Sequence, residues 1–209
     1  MRIDILLYDG FDELDAIGPY EVFQMAAAEA DLECRLVTAG VAELVTASHG
    51  LAIVPHGSYQ SGADVLLVPG GTWVARGDVG AWAEYQRGEI PALLAQARAD
   101  TPVMAGVCTG VLLLGAAGVL AKRPVATHHQ ARRDLVEFGS TVVAKRVVDS
   151  GDIVTCGGVT SGIDLALWLV ERFFGARLAA SIATTLEYQR WDGDPLDPTG
   201  VDDQVRTIE

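Results

Sequence analysis

Short apolar runs of β type alternate with longer helical stretches along almost the whole chain. IDILLYD (3–9) reads as a strand, and LDAIGPYEVFQMAAAEA (14–30) as a helix that tolerates Pro19 in its first turn. LECRLVTAG (32–40) predicts the next strand, and ASHGLAIVPHGSYQ (47–60) a β excursion broken by Pro55 and glycines. ADVLLVPGG (63–71) is continuously apolar, the mark of a strand buried on both faces. VGAWAEYQRGEIPALLAQARAD (79–100) is predicted mostly helical, with Pro91 interrupting or restarting it. TPVMAGV and TGVLLLGAAGVL (101–107 and 109–120) form a strand–helix pair, as do RPVATH and HQARRDLVEFG (123–128 and 129–139). TVVAKRVVDSGDIVTCGG (141–158) predicts a hairpin turning at Asp149–Asp152. SGIDLALWLVERFFG and ARLAASIATTLEYQRW (161–175 and 176–191) are the last helices, the first stopped by Gly175.

This alternation predicts one α/β domain over residues 1–190, with a mainly parallel sheet covered by helices on both faces. Residues 191–209 are expected to form an acidic, proline-bearing C-terminal tail. The chain has 209 residues, half of them hydrophobic, enough for a substantial core. Its longest apolar run, Val111–Leu120, is too short and glycine-rich to span a membrane, and the N-terminus lacks the basic, cleavable character of a signal peptide. A cytoplasmic location is therefore expected. A net charge of −13 repels nucleic-acid backbones and anionic membranes, so neither is an expected partner; a small-molecule substrate is.

Three cysteines, Cys34, Cys108 and Cys156, show no zinc spacing and argue for free thiols; no metal and no organic cofactor is expected. Cys34 reads as a mid-strand packing residue. Cys156 precedes the glycine-rich TCGGVTSG but lies inside a strand. Cys108 differs. Gly106-Val-Cys-Thr-Gly110 has the G-x-nucleophile-x-G spacing of a nucleophile elbow, where small neighbours permit a sharp strand-to-helix turn. A sulfur at a helix N-terminus meets unpaired N–H groups and the positive dipole end, which favours thiolate at neutral pH without a histidine.

Several groups are candidates to assist it. Gly70, Gly71 and Thr72 end a buried strand and either aim backbone N–H groups as an oxyanion hole or make an ordinary turn. Asp9, Asp12, Glu13 and Asp15 follow the first strand; local spacing does not choose among them, and Asp15 can equally cap the helix. His128 or His129 serves as a base or helper at a pocket, or simply opens the next helix. Thr109 is placed to donate a hydrogen bond or to be an ordinary first-turn residue. No role is expected for His49 or His56.

Four stretches, ELDAIGPYEVF, DVLLVPGGT, VCTGVLLLGAAGVL with the following ATHH, and VVDSGDIVTCGGVTSGIDLALWLVERFFG, resemble the ThiJ/PfpI superfamily, and within it the isonitrile hydratase branch. The resemblance implies a flavodoxin-like three-layer sandwich, usually a homodimer, with catalytic Cys108, an aspartate partner at Asp15, and Thr109 after the nucleophile. It also implies hydration of an isonitrile to an N-substituted formamide through a cysteine thioimidate. Gly70, Gly71 and Thr72 resemble the family's backbone donors. Thr109 stands where peptidase relatives carry histidine, Asp15 where many chaperone, deglycase or glyoxalase relatives carry glutamate, and His129 where many members of this branch carry tryptophan. Glyoxalase- or amidase-type cysteine chemistry and a non-turnover redox-sensing or ligand-binding module are the alternatives.

Overall fold

The computed structural model describes residues 1–120 and 122–190. The predicted acidic tail lies outside the described residues. Eleven strands and seven α-helices follow one another as β1 (Arg2–Leu7), α1 (Glu13–Ala27), β2 (Glu33–Thr38), β3 (Val45–Thr46), β4 (Ala52–Ile53), β5 (Gly57–Ser58) and β6 (Val65–Val68), then α2 (Ala81–Arg87), α3 (Glu89–Ala97), β7 (Val103–Val107), α4 (Gly110–Ala116) and β8 (Pro124–Val125). The order closes with α5 (Arg132–Glu137), β9 (Thr141–Val142), β10 (Val147–Asp149), β11 (Ile153–Cys156), α6 (Ser161–Phe174) and α7 (Ala176–Thr185).

The main sheet runs β10-β11-β7-β6-β1-β2-β5. Every pairing in it is parallel except the β10–β11 hairpin, which turns where predicted. Helices α1, α6 and α7 pack together on one side, and α2–α5 cover the other. The result is a flavodoxin-like three-layer α/β sandwich. Burial explains the apolar strands: all of β6 and β7 is buried, as parallel strands roofed on both faces must be. From β1 the chain builds outward to β2 in one direction and, from β6, to β7 and β11 in the other. That reversal leaves a crevice at the carboxyl ends of the central strands. No helix among the described residues is long and apolar enough to cross a membrane.

Local chemistry corrects several predicted boundaries. Asp12, not Asp15, caps α1: its Oδ1 accepts the Leu14 amide at 3.1 Å, which starts the helix at Glu13 and moves Pro19 into the second turn. Pro19 is tolerated there because it is a packing contact. A Cβ on Gly162 of α6 would lie 3.2 Å from the Pro19 ring, so the Gly18-Pro19 pair sets how closely α1 approaches α6. The α2–α3 break falls at Gly88, in the left-handed region at φ 77°, and Pro91 sits harmlessly in the first turn of α3. Thr141–Val142 does not extend the β10–β11 hairpin but pairs with Pro124–Val125 in a separate two-stranded sheet. The last helix ends at Thr185, short of the predicted Trp191.

The strand-to-helix turn after β7 leaves no spare volume. A Cβ on Gly110 would lie 2.2 Å from the Val68 carbonyl oxygen and 2.5 Å from that of Pro69. Gly110→Ala is expected to cost about 1–3 kcal/mol of stability in a denaturant melt, because backbone must move. Gly77→Ala, with nothing within 4 Å of the added carbon, is expected to change stability by less than about 0.5 kcal/mol.

Candidate active site

Four chain segments leaving the carboxyl ends of β1, β6, β7 and β11 converge on Cys108. The cysteine sits between β7 and α4 with φ 55°, a left-handed conformation that non-glycine residues rarely adopt. Gly106 and Gly110 permit it: a Cβ on Gly106 would approach the Val111 and Leu114 side chains to 2.9 Å. The strained turn is pinned on both sides, since the Cys108 amide donates to the Gly157 carbonyl at 3.0 Å and the Thr127 hydroxyl donates to the Cys108 carbonyl at 2.7 Å. The predicted elbow is thus present.

Of the four carboxylates after β1, the structure brings Asp15 to the sulfur. Its carboxyl is electrostatically coupled to the Cys108 thiol, and both side chains are buried, Asp15 fully and Cys108 with 6% exposure. The other three are engaged elsewhere. Asp9 accepts the Thr46 amide, Asp12 caps α1, and Glu13 accepts from the His49 amide and ring and from the Ser48 hydroxyl. Although burial pushes the Glu13 carboxyl up, those hydrogen bonds bring it down to about 2 and raise the His49 imidazole. His49, assigned no role from sequence, therefore anchors the 48–51 loop to α1. Asp12, Glu13 and His49 offer donor atoms within 4.8 Å of one another, but the Glu13 oxygens are already taken by these contacts.

The structure gives the PGG turn a role different from the expected oxyanion hole. The Gly70 amide donates to Asp15 Oδ2 at 3.0 Å, and the Gly71 amide donates to the Thr109 hydroxyl at 2.9 Å. Both N–H groups are spent on holding the two side chains. Close approach makes this possible: a Cβ on Gly70 would lie 2.5 Å from Thr109 N and Oγ1 and 2.9 Å from Asp15 Oδ2. Gly71, at φ 148°, has no room for a Cβ beside the Gly10 carbonyl. The Gly70 carbonyl in turn accepts the Asp12 amide at 2.8 Å, tying the turn to the start of α1. Thr72 lines the pocket while its hydroxyl donates to the Val79 carbonyl.

Electrostatics corrects the expectation of a resting thiolate. Burial pushes the Cys108 thiol well above its ordinary value and the Asp15 charge pushes it further; the amides of Thr109 and Val159 only partly offset this. Asp15 itself is pushed up to about 8, first by burial and then by the Asp12 charge. Its Oδ1 is buried with no hydrogen-bond partner among the described residues, an environment that disfavours the charged carboxylate. A seven-residue helix beginning at Gly110 does not outweigh the loss of water around two adjacent acids. Both shifts favour the protonated forms of the pair. Cys34 and Cys156, read as packing residues, are buried and have raised thiol pKa values.

A cavity of about 280 Å³ opens onto the sulfur, lined in part by Asp12, Trp73, Thr109, His128 and Val159. His128 belongs to this pocket, and burial lowers its imidazole pKa. His129 stacks on it at 4.3 Å between ring centroids but faces an adjoining cleft. Trp73 forms the outer wall: it packs edge-on against Trp82 at 5.3 Å and donates from Nε1 to Asp134 at 2.5 Å. Sequence reasoning missed Trp73 and Val159. Val159 adopts φ 49° in the GGVT turn after β11, and its backbone works against the upward shifts of both Asp15 and Cys108. A second glycine-rich strand-to-helix turn beside Cys156 was the available signal.

Two expected outcomes follow from the coupled pair. Asp15→Asn removes a neighbouring negative charge, so the pH at which iodoacetamide alkylates Cys108 half-maximally, read by peptide mass spectrometry, falls relative to wild type. The folded protein holds the Asp15 proton to about 8, whereas an unfolded chain releases it near about 3.9. The folded state binds more protons across that window, so this group's contribution to stability is lost as pH rises through it. Asp15→Asn is therefore expected to be more stable than wild type by roughly 2–5 kcal/mol at pH 8, with the gap closing toward pH 4, in parallel chemical denaturations.

Comparison with known proteins agrees with this architecture. The DJ-1/PfpI family model matches residues 1–172. The chain is 36% identical over 192 residues to an isonitrile hydratase of Pseudomonas putida, covering 90% of this chain and 78% of the relative. It is 26% identical to the Parkinson disease protein 7 homolog of Danio rerio, covering 88% and 96%. A crystal structure of a ThiJ/PfpI family protein from Pseudomonas syringae superposes with a TM-score of 0.81 at 30% identity, covering 99% of this chain and 83% of that one. With the family model matching residues 1–172 and a relative at 36% identity, the chain belongs to the DJ-1/PfpI family.

Proposed function

We propose that the protein hydrates isonitriles to N-substituted formamides at Cys108. The observation that carries this reading is the buried Asp15–Cys108 pair, in which a carboxyl rather than an imidazole controls the sulfur's proton. The similarity to an isonitrile hydratase supports it.

The chemistry suits a neutral, dry site. An isonitrile is uncharged, and its terminal carbon must gain both a nucleophile and a proton. The Cys108 sulfur forms the S–C bond. The neutral Asp15 carboxyl accepts the thiol proton on one oxygen while the other delivers a proton to the carbon, giving a thioimidate, Cys108–S–CH=N–R. No net charge is created in the cavity, where charge is expensive. Water then adds to the thioimidate carbon, the Asp15 carboxyl accepting the water's proton on one oxygen while the other delivers a proton to the nitrogen. Collapse expels the sulfur, which regains its proton, and nitrogen keeps one as the formamide R–NH–CHO departs. One isonitrile and one water are consumed, and no redox partner is required.

Positioning follows from the turns already described. Gly70 aims the carboxyl and Gly71 orients the Thr109 hydroxyl, while Trp73 and Val74 give the cavity an apolar wall. A small-molecule substrate and a homodimeric assembly form part of this reading. The slight exposure and raised pKa of Cys108 weigh against a peroxide sensor, which needs an accessible thiolate.

Cyclohexyl isonitrile is expected to yield N-cyclohexylformamide, measured by chromatography. Cys108→Ser is expected to abolish turnover, and Asp15→Asn to lower kcat by about 100-fold or more. Turnover should fall as pH passes about 8, where Asp15 gives up the proton it donates. Undiminished activity in Cys108→Ser, or Cys108-dependent consumption of methylglyoxal with no formamide formed, would overturn the assignment.

A further inference from the structure

A second cleft, of about 360 Å³, adjoins the cavity over Cys108 at His128 and Val159, which line both. Arg132, Lys145 and Arg146 line it beside the two histidines, and no carboxylate is among its described lining residues. This is unexpected on a chain with a net charge of −13, whose general field repels anions.

The cations are not equivalent. Arg146 is held in place by Asp164, by the Thr160 hydroxyl at 2.9 Å and by the Tyr188 hydroxyl at 3.0 Å. Arg132 has no such anchor, and its Nε is buried without a hydrogen-bond partner among the described residues. A buried guanidinium N–H left unpaired costs free energy that an oxyanion would recover. Burial first, then His129 and the Arg132 charge, lower the His128 imidazole pKa. Gly158 lets the backbone pack directly against the His128 ring, where a Cβ would lie 2.3 Å away.

We infer that this cleft is a subsite for a carboxylate carried by the substrate, so that the preferred isonitriles are isocyano acids rather than neutral compounds. The inference rests on the hydratase reading for the reactive end and on the cationic cleft for the distal end. The reactive carbon sits over Cys108, the chain of the substrate passes His128 and Val159, and the carboxylate meets the Arg132 guanidinium. Arg132 is the specificity residue; it takes no part in the bond changes.

The test uses ω-isocyano carboxylates from isocyanoacetate to 6-isocyanohexanoate, each beside its methyl ester. At least one acid is expected to exceed its ester in kcat/KM by about tenfold at low salt. Added salt should erode that advantage. Arg132→Gln is expected to bring the acid-to-ester ratio close to one, and Arg132→Lys to preserve part of it, with thermal melts confirming that both variants fold. Esters preferred at every length, or an acid preference that survives in Arg132→Gln, would overturn the subsite. If neither acids nor esters are hydrated, the reaction assignment fails and the cleft is judged on binding alone. Calorimetry with the matching formamido acids then supports it if they bind wild type and not Arg132→Gln, and overturns it if they do not bind.

Discussion

A carboxyl group sealed in a dry pocket beside a thiol, with no cation to neutralise it, is the constraint on which the rest of the site depends. Either group ionises only at the expense of the other, because burial takes both side chains out of solvent. Asp15 at about 8 and a thiol raised above its ordinary range are two expressions of that single fact. The consequence is a site that handles protons without accumulating charge. That suits addition across a neutral, apolar functional group better than hydrolysis of an amide, whose tetrahedral oxyanion would need donors that Gly70 and Gly71 have already committed.

The scaffold accepts this burden because the strain is local and the frame around it is stiff. Cys108 and Val159 occupy left-handed backbone conformations on neighbouring turns, each at the end of a fully buried strand. Parallel strands β6, β7 and β11 fix the origins of these turns in register, with Val68 opposite Gly106 and Val107 opposite Cys156. A site of this kind trades stability for chemistry: the group that most lowers the molecule's tolerance of alkaline pH is the one its proposed reaction needs.

Much of this was legible in the amino-acid order. Continuous apolar runs revealed the parallel strands, and the G-x-C-x-G spacing revealed the elbow, because only small residues fit a backbone folded that tightly. Asp15 could not be chosen over Asp9, Asp12 and Glu13 by local spacing. Its selection is a tertiary event, made by the β6 turn reaching across to donate the Gly70 amide. The thiol's protonation was also hidden. Helix-end position is visible in sequence, whereas the desolvation that outweighs it depends on how completely four turns close over the sulfur. Pro19 and Pro91 misled the boundaries for a related reason: a proline marks a missing donor, but a cap at Asp12 or a glycine at position 88 decides where a helix begins or ends.

The division of labour between main chain and side chains has a consequence for diversification. The reactive pair is positioned by amides and by glycines at 70, 71, 106 and 110 that leave no space for a methyl group. Lineages therefore have almost no freedom to retune the chemistry gradually. Val74 and Gln130, which wall the cavity from exposed positions, are under no such restriction. New substrate preferences can arise by exchanging those walls, one at a time, around a tightly constrained reactive centre.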